Sequence, residues 1–289
     1  MRYWLIVNEI SAAGKSESER WRRSLARAGV KPVLARNFHD SQWVDEIEPG
    51  DCILAAGGDG SVNHAAGICI ERNAILGVLP SGTANDFARN LGLPRDPEAL
   101  CQLIARNKWH WLDVARYDTG LFLNVAHVGL GTAAVRESGP KQKARWGRFV
   151  YALTILQRLR EHRGFHATVT ADMGEVDGRW LSLAIATGAY YGGGHSIPAA
   201  NADDGQLDII AVRPRSFLRL FATFIFMRLR GRSPDQTSTF VHLKAQRCQI
   251  TTRKPQTVTA DGEVVGNTPL KVSCAPGSLP VICEKIIHT

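Results

Sequence analysis

The chain has 289 residues, of which 44% are hydrophobic and 21% are charged. This composition is typical of a globular protein of one or two domains, and it excludes a disordered, a collagen-like or a coiled-coil chain. The 35 lysines and arginines exceed the 27 aspartates and glutamates by 8. A basic excess favours an anionic partner, and the charge alone leaves nucleic acid, a phosphorylated small molecule and an acidic membrane surface open.

Cysteine spacing and hydropathy indicate the compartment. The six cysteines are scattered, without a CxxC pair, which argues against a zinc site and against a disulfide framework. The apolar run Tyr3–Val7 is too short for a signal peptide, and no stretch reaches the roughly 18 apolar residues of a membrane span. We therefore expect a cytoplasmic protein.

Short apolar runs alternate with helical patterns in the first third of the chain. The predicted strands are Tyr3–Val7, Lys31–Ala35, Asp51–Ala56 and Ala74–Leu79, and the predicted helices are Glu17–Ala28, Val62–Ile70 and one that starts within Asn85–Asn90. Continuously apolar strands separated by helices imply a parallel sheet that is covered on both faces.

After Trp111 the pattern changes to strands separated by turns. The predicted strands are Leu112–Tyr117, Leu121–Val128, His166–Ala171, Trp180–Thr187, Leu207–Val212, Phe240–Ile250, Val258–Ala260 and Leu270–Cys274. We predict an α/β N-terminal domain with a parallel sheet (residues 1–113), followed by a mainly antiparallel β-sandwich domain (residues 114–278). The last segment, residues 279–289, is a candidate to return to the first domain.

A glycine-rich turn, Gly57-Gly58-Asp59-Gly60-Ser61, ends the third predicted strand and opens a helix. Its glycines allow backbone N–H groups to approach phosphate oxygens, and a helix N-terminus favours negative charge. Asp59 would repel phosphate unless a divalent cation lay between them, so the turn indicates a Mg²⁺-nucleotide rather than a dinucleotide. Walker A and GxGxxG spacings are both absent. Taken alone, the turn fits a tight βα connection equally well.

A second turn of this kind, Pro80–Ala88, follows the next predicted strand. Two such turns on adjacent parallel strands face one crevice at the carboxyl ends of the strands. Thr83 can donate to a phosphate, and Asp86 can hold a metal directly or through water. Thr83 or Asn85 also suits a simple helix cap. The two turns together favour a functional site.

Seven blocks of this sequence resemble the bacterial diacylglycerol-kinase-type lipid kinases, relatives of the sphingosine and ceramide kinases. The blocks are Asn8 with Ser11–Lys15, Gly57–Asn63, Pro80–Arg89, Phe122–Gly131, Tyr190–Gly194, Asp203–Asp208 and Ala260–Glu263. They occur in the family order and cover almost the whole chain, so the combination is highly specific. One departure is His64, which stands where the family usually has Glu.

The resemblance implies a role for each matching residue. The nucleotide phosphate loop would consist of Gly57, Gly58, Asp59, Gly60, Ser61, Val62 and Asn63. Asn8, Lys15 and Thr83 would help to hold ATP. Asp261 would be the general base that takes the proton from the lipid hydroxyl, with Glu263 beside the metal and phosphate.

The family also carries a structural Mg²⁺ site at the DDGxLD turn. In this sequence the ligands would be the Asp204 carboxylate and the backbone carbonyls of Asn201 and Gln206. Such oxygen ligands suit Mg²⁺. An Asp-Gly hairpin turn without a metal is the alternative interpretation.

Two predicted helices, within Arg136–Arg163 and Phe217–Arg230, combine apolar stripes with arginine and lysine. Basic amphipathic helices can lie on an anionic membrane surface, although such stripes can also pack on the β domain. No RNP, HTH or KH pattern accompanies them, so we expect no nucleic-acid partner. Peripheral contact with the inner face of the membrane fits this charge, and the sequence leaves an oligomer open.

These features predict an ATP- and Mg²⁺-dependent lipid kinase that phosphorylates a hydroxyl of a membrane lipid. Diacylglycerol is the first substrate class that the resemblance implies, and a sphingoid base or ceramide is its rival. An NAD-kinase-like enzyme shares the GGDG loop, but the DGE and DDGxLD blocks argue against it. A nucleotide-binding module that has lost catalysis is suggested only by His64, and the intact Asp261 argues against it.

Overall fold

A computed structural model describes residues 1–7, 12–31, 33–38, 40, 42–129, 164–188, 190–191, 195–196, 201–215 and 239–284. The helices predicted within Arg136–Arg163 and Phe217–Arg230 lie outside the described residues, as does Asn8. Within the described part of the chain, no helix is long and apolar enough to cross a membrane.

The N-terminal part is a parallel sheet with helices on both faces. Its strands are β1 (Tyr3–Val7), β2 (Val33–Asn37), β3 (Cys52–Gly57) and β4 (Ile75–Pro80), which lie in the order β2-β1-β3-β4. Its helices are α1 (Ala12–Arg27), α2 (Asp59–Arg72), α3 (Asp86–Asn90) and α4 (Pro97–Arg106), with a 3-10 helix at Gln42–Glu46.

Each strand of this sheet contributes to two cores because its side chains alternate between faces. In β3, Ile53 and Ala55 pack with α2 on one face, whereas Leu54 packs with α1 and α4 on the other. Both faces are therefore apolar, which explains the uninterrupted hydrophobic run in the sequence.

The remaining strands are antiparallel to their neighbours except where the chain returns to β4. They are β5 (Trp109–Tyr117), β6 (Gly120–Phe122), β7 (Val125–Gly129), β8 (Phe165–Ala171), β9 (Gly174–Trp180), β10 (Ser182–Ala186), β11 (Tyr190–Tyr191), β12 (His195–Ser196), β13 (Leu207–Val212), β14 (Phe240–Ala245), β15 (Arg247–Thr252), β16 (Thr257–Ala260), β17 (Glu263–Asn267) and β18 (Leu270–Ile282). Strands β18-β15-β8-β9 extend the first sheet, and β14-β13-β10-β7-β16-β17 form a second sheet.

These two sheets pack face to face around one core. Ala167 and Trp180 from the first sheet meet Leu183 and Ile209 from the second, and the Trp180 indole donates to the Ala167 carbonyl at 2.9 Å. The predicted α/β domain followed by a β-sandwich is thereby confirmed.

Strand β18 belongs to both halves of the first sheet. Leu270 near its start pairs with Ile250 of β15, and Val281 near its end pairs in parallel with Leu76 of β4. Backbone hydrogen bonds therefore connect the parallel sheet with the sandwich. The division at residue 113 stays a prediction.

Some predicted strands are wrong in extent, because the chain turns between two strands without a glycine or proline to mark the corner. The segment Phe240–Ile250 is two strands in different sheets, β14 and β15. The segment Trp180–Thr187 likewise divides between β9 and β10, and Leu121–Val128 divides between β6 and β7.

Candidate active site

The two glycine-rich turns touch at the carboxyl ends of β3 and β4. These strands pair side by side up to Gly57 and Pro80, and the Ser81 N–H donates to the Gly57 carbonyl at 3.0 Å. A Cβ atom placed on Gly82 would lie only 2.5 Å from the Cα of Gly58. This approach therefore requires glycine at position 82, whereas a Cβ atom on Gly58 would lie at an ordinary contact distance of 3.5 Å from Gly82.

Helix α2 starts in this crevice, with Gly58 in extended conformation as its N-cap residue. As a glycine, Gly58 provides no side-chain cap for the first N–H groups of the helix. Uncapped N–H groups and the helix dipole together favour an anion such as phosphate. Val62 is only 2% exposed and packs in the core, so its side chain does not reach the crevice.

Asp59 is the first residue of α2, and the neighbouring carboxylate, Asp86, is the first residue of α3. Asp59 accepts the Phe87 N–H at 3.1 Å, and burial together with the Asp86 charge raises the pKa of its carboxyl. The buried Asp86 forms an ion pair with Arg89 at 2.9 Å. Asp86 therefore already has a cation partner, whereas the role of Asp59 as a Mg²⁺ ligand stays a prediction. Within the described residues, no group of three His, Cys, Asp or Glu side chains is placed to hold a metal by itself.

Asp261 lies in the tight turn between β16 and β17, and its carboxylate accepts four hydrogen bonds. Oδ2 accepts from the Asn63 side-chain amide at 2.9 Å and from the Leu123 N–H at 2.8 Å. Oδ1 accepts from the N–H groups of Asn124 and Val125 at 3.0 and 3.1 Å. These bonds link the turn after β16 to helix α2 and to residues 123–125, which lead into β7.

Burial raises the pKa of the Asp261 carboxyl, and the donors from Leu123, Asn63, Val125 and Asn124 oppose this shift without cancelling it. The residue has a φ of 45°, in the left-handed region that aspartate and asparagine tolerate better than most residues. A carboxyl with a raised pKa is a stronger base than an ordinary surface aspartate.

The phosphate loop and the Asp261 turn line the same cavity, which has a volume of about 520 Å³. Gly58, Gly60, Ser61, Asn63 and His64 lie on one wall, and Ala260, Asp261, Glu263 and Val265 lie on the other. A Cβ atom on Gly60 would be 2.9 Å from Glu263 Oε1, so this carboxylate faces the loop directly. Residues far apart in the sequence therefore form one site.

Several lining residues were not predicted from the sequence. Phe38, Tyr117 and Leu121 line the cavity, and the Phe38 ring lies 4.7 Å from the His64 ring between centroids. Thr83 is exposed in the second turn, and Lys15 lies in α1.

The residues predicted for the structural Mg²⁺ site do not line this cavity. Asp204 Oδ1 accepts the Gln206 N–H at 3.0 Å, and Lys244 Nζ donates to Asp204 Oδ2 at 2.5 Å. Asn201 Oδ1 is buried and has no hydrogen-bond partner among the described residues. A lysine ammonium thus lies where the prediction places a metal.

Two family descriptions match the chain. Residues 2–117 match the diacylglycerol kinase catalytic domain, and residues 125–283 match the YegS C-terminal NAD kinase beta sandwich-like domain. A protein named probable lipid kinase YegS-like from Pseudomonas aeruginosa (strain UCBPP-PA14) is 31% identical over 265 residues, which are 90% of this chain and 82% of that protein.

Other proteins are similar to this chain over most of its length. A probable lipid kinase YegS-like from Stenotrophomonas maltophilia is 28% identical, over 95% of this chain and 94% of its own. An uncharacterized Synechocystis protein, sll0036, is 30% identical over 86% of this chain, which spans only 58% of that protein. The crystal structure of a putative diacylglycerol kinase from Bacillus anthracis has the same fold, with a TM-score of 0.79 at 24% identity and coverage of 99% and 96%. The chain therefore belongs to the family of diacylglycerol-kinase-type, YegS-like lipid kinases, and it is a kinase.

Proposed function

We propose that this protein transfers the γ-phosphoryl group of ATP to a hydroxyl of a membrane lipid, with diacylglycerol as the first substrate class. The observation that carries the proposal is the shared cavity, in which an uncapped helix start faces Asp261 and Glu263. Phosphoryl transfer requires little more than such a juxtaposition, because catalysis consists mainly of positioning and charge neutralisation.

On the nucleotide side, the first turn of α2 would bind the phosphates through backbone N–H groups. Asn8, Lys15 and Thr83 would add contacts to ATP, as the family resemblance implies. Asp59 would hold Mg²⁺ together with the phosphates, and Asp86 would support it at longer range because Arg89 already neutralises this carboxylate. The ion, when bound, supplies charge neutralisation at the phosphoryl oxygens.

On the acceptor side, Asp261 would take the hydroxyl proton. All four lone-pair directions of its carboxylate are used, three of them by backbone N–H groups of residues 123–125. The Asn63 amide is the one side-chain donor among the four, and side chains rotate more readily than backbone. A lipid hydroxyl would therefore replace Asn63 at Oδ2 and deliver its proton there.

The substrate class is tested by incubating the protein with γ-labelled ATP, Mg²⁺ and one acceptor at a time. The acceptors are mixed micelles of diacylglycerol, monoacylglycerol, sphingosine or ceramide, and NAD as a soluble acceptor. We expect label in diacylglycerol. Label in sphingosine or ceramide would move the assignment to a sphingoid kinase, and label in NAD alone would contradict a lipid acceptor. ATP binding without any labelled acceptor would favour a non-catalytic module.

Glu263→Gln tests the side of the cavity that carries Asp261 and Glu263. The change carries little risk to folding, because Glu263 is exposed in β17. The Glu263 carboxylate would help to hold Mg²⁺ beside the phosphates, as the family resemblance implies, and the bound ion would neutralise charge at the phosphoryl oxygens. Loss of this carboxylate should therefore lower kcat by roughly 10²-fold or more. Glu175→Gln, an equally exposed change in β9, is the matched control and should retain full activity. Equal activity of both variants would remove Glu263 from the site.

Membrane contact is a separate part of the proposal. The basic segments that predict it lie outside the described residues. Flotation with anionic vesicles at low salt should recover the protein with the lipid, and the bound fraction should fall as salt screens the charges. A protein that stays with the soluble fraction at low salt would contradict peripheral binding.

A further inference from the structure

A lysine ammonium lies between two carboxylates at the turn before β13. Lys244 Nζ is 2.5 Å from Asp204 Oδ2 and 3.8 Å from Asp208 Oδ1. The second oxygen of Asp204 accepts the Gln206 N–H within the turn. Both oxygens of the Asp204 carboxylate therefore already have a donor from the chain itself.

The register of the sheet holds the lysine in this position. Lys244 of β14 pairs directly with Asp208 of β13, and side chains opposite each other in an antiparallel pair lie on the same face of the sheet. His242, two residues earlier on that face, places Nε2 2.6 Å from Asp208 Oδ1. The Asp208 side chain is completely buried, and a buried carboxylate requires a positive or donor partner.

These residues do not fit the Mg²⁺ site that the DDGxLD turn predicts. Mg²⁺ requires close, nearly octahedral oxygen ligands at about 2.0–2.1 Å. Asp204 is the only carboxylate among the three predicted ligands, and Lys244 already contacts it. A divalent ion on the same carboxylate would be in direct repulsion with the ammonium.

We infer that Lys244 supplies the positive charge of this turn and takes the place of a divalent cation there. The lysine joins the turn before β13 to β14, so the fold of this region is independent of metal. The inference does not depend on the proposed kinase activity, because it concerns the stability of the sandwich and not the cavity.

The experiment is thermal unfolding of the full chain without nucleotide, in EDTA and in millimolar Mg²⁺. The native protein should have the same Tm in both conditions. Lys244→Met should unfold roughly 2–8 °C lower in EDTA, because it leaves the Asp204 carboxylate without its cation and removes the longer contact to Asp208, and Mg²⁺ should recover part of this loss. Lys271→Met, on the exposed side of β18, is the matched control and should behave like the native protein.

A second measurement decides the question if Lys244→Met fails to fold. Calorimetric titration with Mg²⁺ alone should give the same result for the native protein and for Asp204→Asn. The inference would be overturned if Mg²⁺ raised the Tm of the native protein, or gave a calorimetric binding signal, and if Asp204→Asn lost that effect. The buried Asn201 Oδ1, which has no partner among the described residues, is the acceptor that a bound metal would satisfy in that case.

Discussion

Replacing Asp261 with asparagine should destabilise the protein as well as remove the proposed base. The carboxylate accepts two N–H donors on each oxygen, from Asn63 and Leu123 on one side and from Asn124 and Val125 on the other. An asparagine keeps one oxygen but turns an NH₂ group towards two of these donors, whichever way the amide is oriented. The backbone is no obstacle, since asparagine tolerates the left-handed conformation of this residue.

The magnitude follows from the two donors that lose their acceptor. Each buried donor without a partner costs about 1–3 kcal/mol, so the free energy of unfolding should fall by about 2–6 kcal/mol. One kcal/mol corresponds to about 2–4 °C in a chain of this order of size, so the Tm should fall by roughly 4 °C or more. This loss is a large part of the stability of an ordinary domain.

Thermal and urea unfolding of Asp261→Asn beside Asp177→Asn measure the effect. Asp177 is exposed in β9 and accepts one hydrogen bond from Thr168, which an asparagine oxygen can still accept. Its second oxygen lies 3.5 Å from His166 Nε2, and a surface contact of this kind contributes only about 0–1 kcal/mol. We expect the control to match the native protein. An Asp261→Asn variant with native Tm and native urea midpoint would refute the reasoning, because the carboxylate would then not hold the four donors. Activity of this variant is interpretable only at a temperature where it is folded.

Two further predictions concern the crevice and acid stability. Gly82→Ala should push the two turns apart and weaken ATP binding at least tenfold, measured by titration with a fluorescent ATP analogue. The control is Gly67→Ala within α2, where a Cβ atom has room, and this variant should bind ATP normally. Burial lowers the pKa of His127 from 6.5 to about 4. The unfolded chain therefore takes up a proton near pH 6.5 that the folded state excludes, so stability should fall by at most about 3 kcal/mol as the pH drops from 6.5 to 4. Urea unfolding across this range should show less pH dependence in His127→Gln, and an unchanged slope would contradict the assignment.

The parallel sheet could be predicted from the sequence because its strands are buried on both faces. The third strand was predicted at Asp51–Ala56 and is found at Cys52–Gly57. Helix α4 was missed, although Asp96 as its cap and Pro97 at its first position are ordinary start signals. Strand ends within the sandwich were less predictable, since the corner between β14 and β15 consists of Gln246 alone and carries no glycine or proline.

The candidate site was predictable only in part, because some of its contacts join residues that are distant in the sequence. The phosphate loop is a run of consecutive residues, so its composition indicates its chemistry. The four donors that hold Asp261 are separated from it by 136 to 198 residues along the chain and form no local pattern. Likewise, the contact of Lys244 with Asp204 depends on the register between β13 and β14, which hydropathy does not encode.

The decisive measurement is a crystal structure of the protein with Mg²⁺ and a non-hydrolysable ATP analogue. We expect the γ-phosphate to lie in the cavity between the start of α2 and the turn of Asp261 and Glu263. A nucleotide bound elsewhere, for example in the separate cleft lined by Arg116 and Lys271, would contradict it.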